Sequence, residues 1–142
     1  MIDRASIYAA LFALIETTPG FTKTSQRLEF PSSDSEQPAL YLRRCDDEYL
    51  PREGRWGPAK VILNCELIIY YRTTDVNEPP GIELDVLIGN AEAQLAPVGT
   101  AEVQTLGGLV QRLWIEGTIK KDDGALYGQA GAIIPVKILT TS

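Results

Sequence analysis

The sequence contains no histidine. That removes the histidine-based catalytic triads, the Cys–His nucleophile pairs and the common zinc-ligand sets. Only two cysteines are present, Cys45 and Cys65, so a disulfide framework is excluded and a reduced, cytosolic chain is the expectation. Whether the two approach each other is not readable. Positive charge is also scarce. Lys and Arg number 13 against 19 Asp and Glu, a formal net charge of -6. Broad, sequence-independent nucleic-acid binding needs a cationic surface, and this balance argues against it. Sequence-specific nucleic-acid recognition is not expected either. Long apolar runs are lacking. The longest near the start, "IYAALFALI" from Ile7 to Ile15, stops at Glu16 and is too short to span a bilayer. No strongly positive region precedes it, so neither a signal peptide nor a membrane partner is expected.

What is present is a chain of 142 residues with 44% apolar content, enough for one α+β domain over 1–142 with a real core. Tyr8, Leu11, Phe12 and Ile15 recur at i, i+3, i+4 and i+7, with Ile7 and Leu14 widening the stripe. That period predicts a helix, started by Asp3 or Ser6 and ended by Pro19–Gly20. Residues 21–38 are polar and turn-rich and read as a long loop, with Leu28 and Phe30 as a short strand inside it.

"ALYLRRC" then alternates as a strand, with Leu40 and Leu42 on one face and Tyr41 and Arg43 on the other. "KVILNCELIIYYRT" is the clearest strand. Val61, Leu63, Cys65, Leu67 and Ile69 form one continuous apolar face, and Asn64, Glu66 and Arg72 mark a mixed one. Leu84, Leu87, Ile88, Ala91 and Leu95 predict a second helix, approached through Pro79 and Pro80. "LVQRLWIEGTIK" reads as one strand, "KDDG" as a turn, and "GAIIPVKILTT" as a last strand. Pro135 in its middle predicts an edge position or a bulge. The order is α-β-β-α-β-β, an antiparallel sheet with helices packed on one face.

The most chemical-looking stretch is "CDDEYLPREGRWGPAK", Cys45 to Lys60, with four carboxylates, two arginines, a lysine, a cysteine and a tryptophan. Two readings compete. In an extended chain Asp46 and Glu48 share a side and offer oxygen ligands to Mg²⁺ or Ca²⁺, with Asp122 and Asp123 as further donors by elimination. The plainer reading is a solvated connection whose acids are balanced by Arg52, Arg55 and Lys60, with Trp56 anchoring it on the body or on a partner. No nucleophile–base pair accompanies the stretch, so the plainer reading is preferred. Cys65 alternates with apolar neighbours and reads as a small core residue. Cys45 sits beside acids, which raise a thiol pKa. "LGGL", Leu106 to Leu109, lacks the P-loop lysine and reads as a turn entering a strand. Tyr41, Tyr70, Tyr71, Trp114 and Tyr127 raise an RNA-stacking platform, against which the acidic balance weighs.

Taken in order, "IYAALFALIETTPGF", "ALYLRRC", "KVILNCELIIYYRT", "GIELDVLIGNAEAQLA" and "LWIEGTIKKDDG…AIIPVKIL" resemble the tail terminator, or tail completion, proteins of long-tailed bacteriophages. The likeness is one of element order and character over nearly the whole chain, without a diagnostic motif. It implies a non-enzymatic α+β subunit without cofactor or metal. Such subunits assemble as a ring, typically hexameric, on the tail tube protein at the head-proximal end of the tail. The ring presents a surface to a head-completion or connector protein, and assembly takes place in the host cytoplasm. On the residues themselves, Asp46, Asp47, Glu48, Arg52, Arg55 and Trp56 are the candidate oligomer or partner contacts. The alternatives are another head–tail connector or neck subunit, a small carboxylate and divalent-metal enzyme, and an adaptor binding peptides at a strand edge.

Overall fold

The computed structural model describes residues 1–27, 36–52, 54, 57, 59–72, 81–124 and 129–141. Its elements are α1 (Arg4–Ile15), β1 (Lys23–Ser25), β2 (Ala39–Tyr49), β3 (Lys60–Arg72), α2 (Ile82–Gln94), β4 (Arg112–Ile115), β5 (Lys120–Asp122) and β6 (Gln129–Thr141). The architecture is α+β, with a mixed, mainly antiparallel sheet in the order β1-β2-β3-β6-β4; β5 pairs with β6 beyond the end of β4.

Asp3 starts α1. Its carboxylate accepts from the Ser6 backbone N–H at 3.1 Å and from the Ser6 hydroxyl at 2.6 Å, which satisfies one of the donors a helix start leaves open. Ile7, Tyr8, Leu11 and Ile15 are buried, and Phe12 and Leu14 half-buried, as the period requires. In α2 the buried set is Leu84, Leu87, Ile88 and Ala91. Glu83 and Asp85 in its first turn suit the positive end of the helix dipole. Gln94 ties the helix ends together, donating to the Leu14 carbonyl and the Thr17 hydroxyl, both at 2.8 Å.

Both helices lie on one face of the sheet. Their stripes meet Leu40, Leu42, Val61, Leu63, Cys65, Leu67 and Ile69 from β2 and β3, with Ala132, Ile134, Val136 and Ile138 from β6, in one core. The other face holds a smaller cluster of Ala39, Tyr41 and Ile68, flanked by Tyr70 and Ile133.

Four expectations from the sequence need correction. The polar loop at 21–38 is not structureless, because Lys23–Ser25 pairs in parallel with Ala39–Tyr41 as β1. Leu28 and Phe30 lie outside the described residues. The charged connection does not begin at Cys45, because β2 continues to Tyr49. The segment "LVQRLWIEGTIK" is not one strand but two, β4 and β5, separated at 116–119. Finally, Pro135 is neither at an edge nor in a bulge. β6 runs unbroken against β3 on one side, and on the other the pairing stops at Val136 with β4 and resumes at Ile133 with β5. The interruption falls in the neighbouring strands, opposite the residue that has no N–H to give. Gly117 makes the detour at φ 119°, where a Cβ would lie 3.2 Å from Pro135 Cγ. The resulting order is α-β-β-β-α-β-β-β rather than α-β-β-α-β-β.

Candidate functional site: the outer end of β2

Beyond Tyr41, no described strand pairs with the outer side of β2. Among the described strands the stretch Arg43–Tyr49 is therefore a sheet edge, and this part of the charged sequence belongs to a strand. Its register shifts between Arg44 and Asp47, where Arg44 opposes Cys65 and Asp47 opposes Leu63. Charged side chains and a bulge are the devices by which natural sheets blunt an open edge against unwanted pairing.

The bulge also decides where each side chain goes. Arg44 is on the helix side, its guanidinium 4.4 Å from the Tyr8 ring centroid, a cation–π contact. Asp47 is on the same side and binds Arg4 Nε at 2.7 Å, while Arg4 Nη2 donates to the Tyr49 hydroxyl at 3.3 Å. Glu48 opposes Ile62 and takes the opposite face. The Cys45 thiol donates to Glu66 Oε1 at 3.1 Å, and Arg43 Nη1 donates to the same oxygen at 3.2 Å.

Asp47 and Glu48 diverge to opposite faces, so Asp47 does not join the proposed pair of Asp46 and Glu48. Asp122 pairs at Gly131, level with Ala39 at the far end of β2 from Asp46. Asp122 is therefore not brought to Asp46 and Glu48, and no group of three or more His, Cys, Asp or Glu residues able to hold a metal occurs among the described residues. Arg52 is exposed beyond the strand, and Arg55 and Trp56 lie outside the described residues.

The two cysteines are both free. They sit on adjacent strands but serve different surroundings, since Cys65 faces the helix-side core while Cys45 is engaged with Glu66. Burial pushes the Cys65 thiol up to about 12. Burial, then the hydrogen bond to Glu66, pushes Cys45 up to about 11. Both stay protonated thiols near neutral pH, the opposite of an activated nucleophile.

The aromatic residues do not form one open platform. Tyr41 is fully buried with Tyr70 edge-on to it at 5.7 Å, Tyr71 packs on the helix-side core, and Tyr127 lies outside the described residues. Trp114 is on the other face beneath Arg112, 5.2 Å from guanidinium to ring centroid. The "LGGL" stretch is a turn entering β4, with positive φ at Leu106, Gly107 and Gly108.

Sequence reasoning missed Arg4 and Tyr49 as partners of Asp47, and Arg44 as the cover of Tyr8. Nothing in a linear reading joins Arg4 to a carboxylate 43 positions away. The Tyr8 hydroxyl is buried without a hydrogen-bond partner among the described residues, and burial raises its pKa above the usual phenol value. Among the described residues no helix is long and apolar enough to cross a membrane. No protein-family model matches the chain, and no curated protein matches it significantly.

Proposed function

We propose that this chain is a structural subunit of a long-tailed bacteriophage, a tail terminator that closes as a ring of about six copies on the tail tube and offers the head-joining surface. The reading rests on the resemblance in element order, and the outer end of β2 is the observation that carries it. Here no described strand pairs with the outer side of β2, where Asp46, Glu48 and Tyr49 are exposed, Asp47 and Tyr49 engage α1 through Arg4, and Arg44 engages it through Tyr8. A ring is built from a head-to-tail contact between two different patches, and an exposed edge whose charges prevent indiscriminate pairing suits one half of it. The partners are then further copies of this chain, the tail tube protein, and a head-completion or connector protein. The net charge of -6 fits a DNA conduit that repels the passing backbone. Tight, salt-sensitive DNA binding would contradict that role.

Negative-stain imaging of the assembled protein, with and without tail tubes, is the test. Closed rings that cap tubes are expected for the wild type and are expected to be lost in Asp46→Lys/Tyr49→Ala while the fold survives. Rings that form but ignore tubes would move the protein to a connector or neck role. Rings unchanged in the variant would overturn the edge assignment, and the lack of any ring on tubes would overturn the function.

A further inference from the structure

The sheet face opposite the helices carries a row of residues with a charge pattern of its own. The pairing register lays Glu48, Ile62, Leu139 and Arg112 side by side across β2, β3, β6 and β4. Ile62 and Leu139 are half-buried, Glu48 and Arg112 exposed. Neither helix covers them, because both helices pack on the other side. Among the described residues, neither Glu48 nor Arg112 has an ion-pair partner. Half-buried Pro135 and Trp114 add apolar surface further along β6 and β4, with Lys137, whose Nζ donates to Asn64 Oδ1 at 3.0 Å, between Pro135 and Leu139.

From the outer strand inward and out again, this row reads acid, apolar, apolar, base. Read backwards it is base, apolar, apolar, acid. At a strand spacing of about 4.8 Å, the two charges are about 14 Å apart. A two-fold axis running along the strands between β3 and β6 therefore sets Glu48 of one copy against Arg112 of the other, twice, and Ile62 against Leu139, twice. Two sheets stacked face to face with their strands nearly aligned make a standard β-sandwich contact, about 10 Å thick. An isologous contact of this kind needs a self-complementary patch, and this row is one.

We propose that this face binds a second copy of the chain in a two-fold, face-to-face dimer, with Glu48 and Arg112 as its reciprocal charge pairs around an Ile62–Leu139 centre. The inference goes beyond the ring and does not depend on it. A dyad closes at two copies, whereas a ring needs a head-to-tail contact through a different surface.

The test is sedimentation equilibrium over a wide concentration range on four samples besides the wild type. These are Glu48→Arg, Arg112→Glu, their equimolar mixture and the double variant, with circular dichroism confirming the fold of each. The wild type is expected to dimerise reversibly, and less tightly at high salt. Each single variant places like charges together at both pairs and is expected to dimerise about tenfold or more weakly. The mixture restores opposite charges at both pairs as a heterodimer, and the double variant restores them as a homodimer, so both are expected to recover. A wild type that is monomeric throughout, single variants that dimerise like the wild type, or single-variant defects that neither the mixture nor the double variant repairs would each overturn the proposal. Arg112 lies on β4, away from the β2 edge assigned to the ring, so a dimer lost in Arg112→Glu while rings still form separates the two contacts.

Discussion

The two faces of β3 are built from alternate residues of one strand and meet opposite fates. Leu63 and Leu67 are fully buried beneath the helices, and Cys65 nearly so. Ile62, Asn64 and Glu66, one position away each, are only half-buried, and the last two are held by polar contacts with Lys137, Arg43 and Cys45. The first face stabilises the fold through area removed from water, about 1.5–3 kcal/mol for each fully buried aliphatic side chain. The second face contributes Ile68 to the smaller cluster with Ala39 and Tyr41, and leaves Ile62 half-buried at its other end. Over residues 61–67 the strand thus alternates between core and half-buried positions.

The strongest way to break this contrast is to truncate one residue on each side. Leu63→Ala is expected to cost about 2–5 kcal/mol, since it removes a packed side chain and leaves a cavity, whereas Ile62→Ala is expected to cost about 1 kcal/mol or less. Urea unfolding monitored by circular dichroism measures both. Equal losses would mean that the second face is covered after all. A smaller effect is expected at the detour around Pro135. Gly117→Ala forces a side chain into the left-handed region, with its Cβ 3.2 Å from Pro135 Cγ, and is expected to cost about 1–3 kcal/mol. Pro135→Ala, which removes the obstacle, is expected to relieve part of that loss.

The finest test uses the cysteines. Burial holds the Cys65 thiol at about 12 in the folded chain, above its ordinary value of 9.0. The unfolded thiol ionises first as pH rises, so the stabilising contribution is complete below pH 9.0 and is lost progressively as pH climbs from there toward about 12. Cys65→Ala is expected to flatten that alkaline decline in unfolding free energy. Cys45, raised to about 11 and half-exposed, is expected to be alkylated in the folded protein only at alkaline pH, with Cys65 protected until the chain unfolds. Cys65 reacting as fast as Cys45 in the native state would contradict its place in the core.

Much of this architecture was legible because period is a local property. The stripes of α1 and α2 and the alternation of β3 and β6 declare themselves within a dozen residues. What failed to show was decided across the chain. Lys23–Ser25 is polar and short, and becomes a strand only because Ala39–Tyr41 lies beside it. Cys45–Tyr49 has the composition of a loop, and is extended because β3 supplies a ladder partner as far as Val61. Pro135 signals an interrupted ladder, but not which neighbour yields; here β4 and β5 part around it while β3 stays continuous. The candidate site was half legible for the same reason. Its charges are visible in sequence, whereas the bulge that sends Asp47 to Arg4 and Glu48 to the other face is a product of pairing.

An assembly subunit, unlike a self-sufficient monomer, has a mass in solution that depends on its concentration. Absolute mass in solution, by light scattering behind size exclusion from dilute to the highest soluble concentration, tests the subunit reading most directly. The mass is expected to rise with concentration through a dimer to a closed multiple of the subunit. A single monomer mass across the whole range, unchanged by salt, would contradict it.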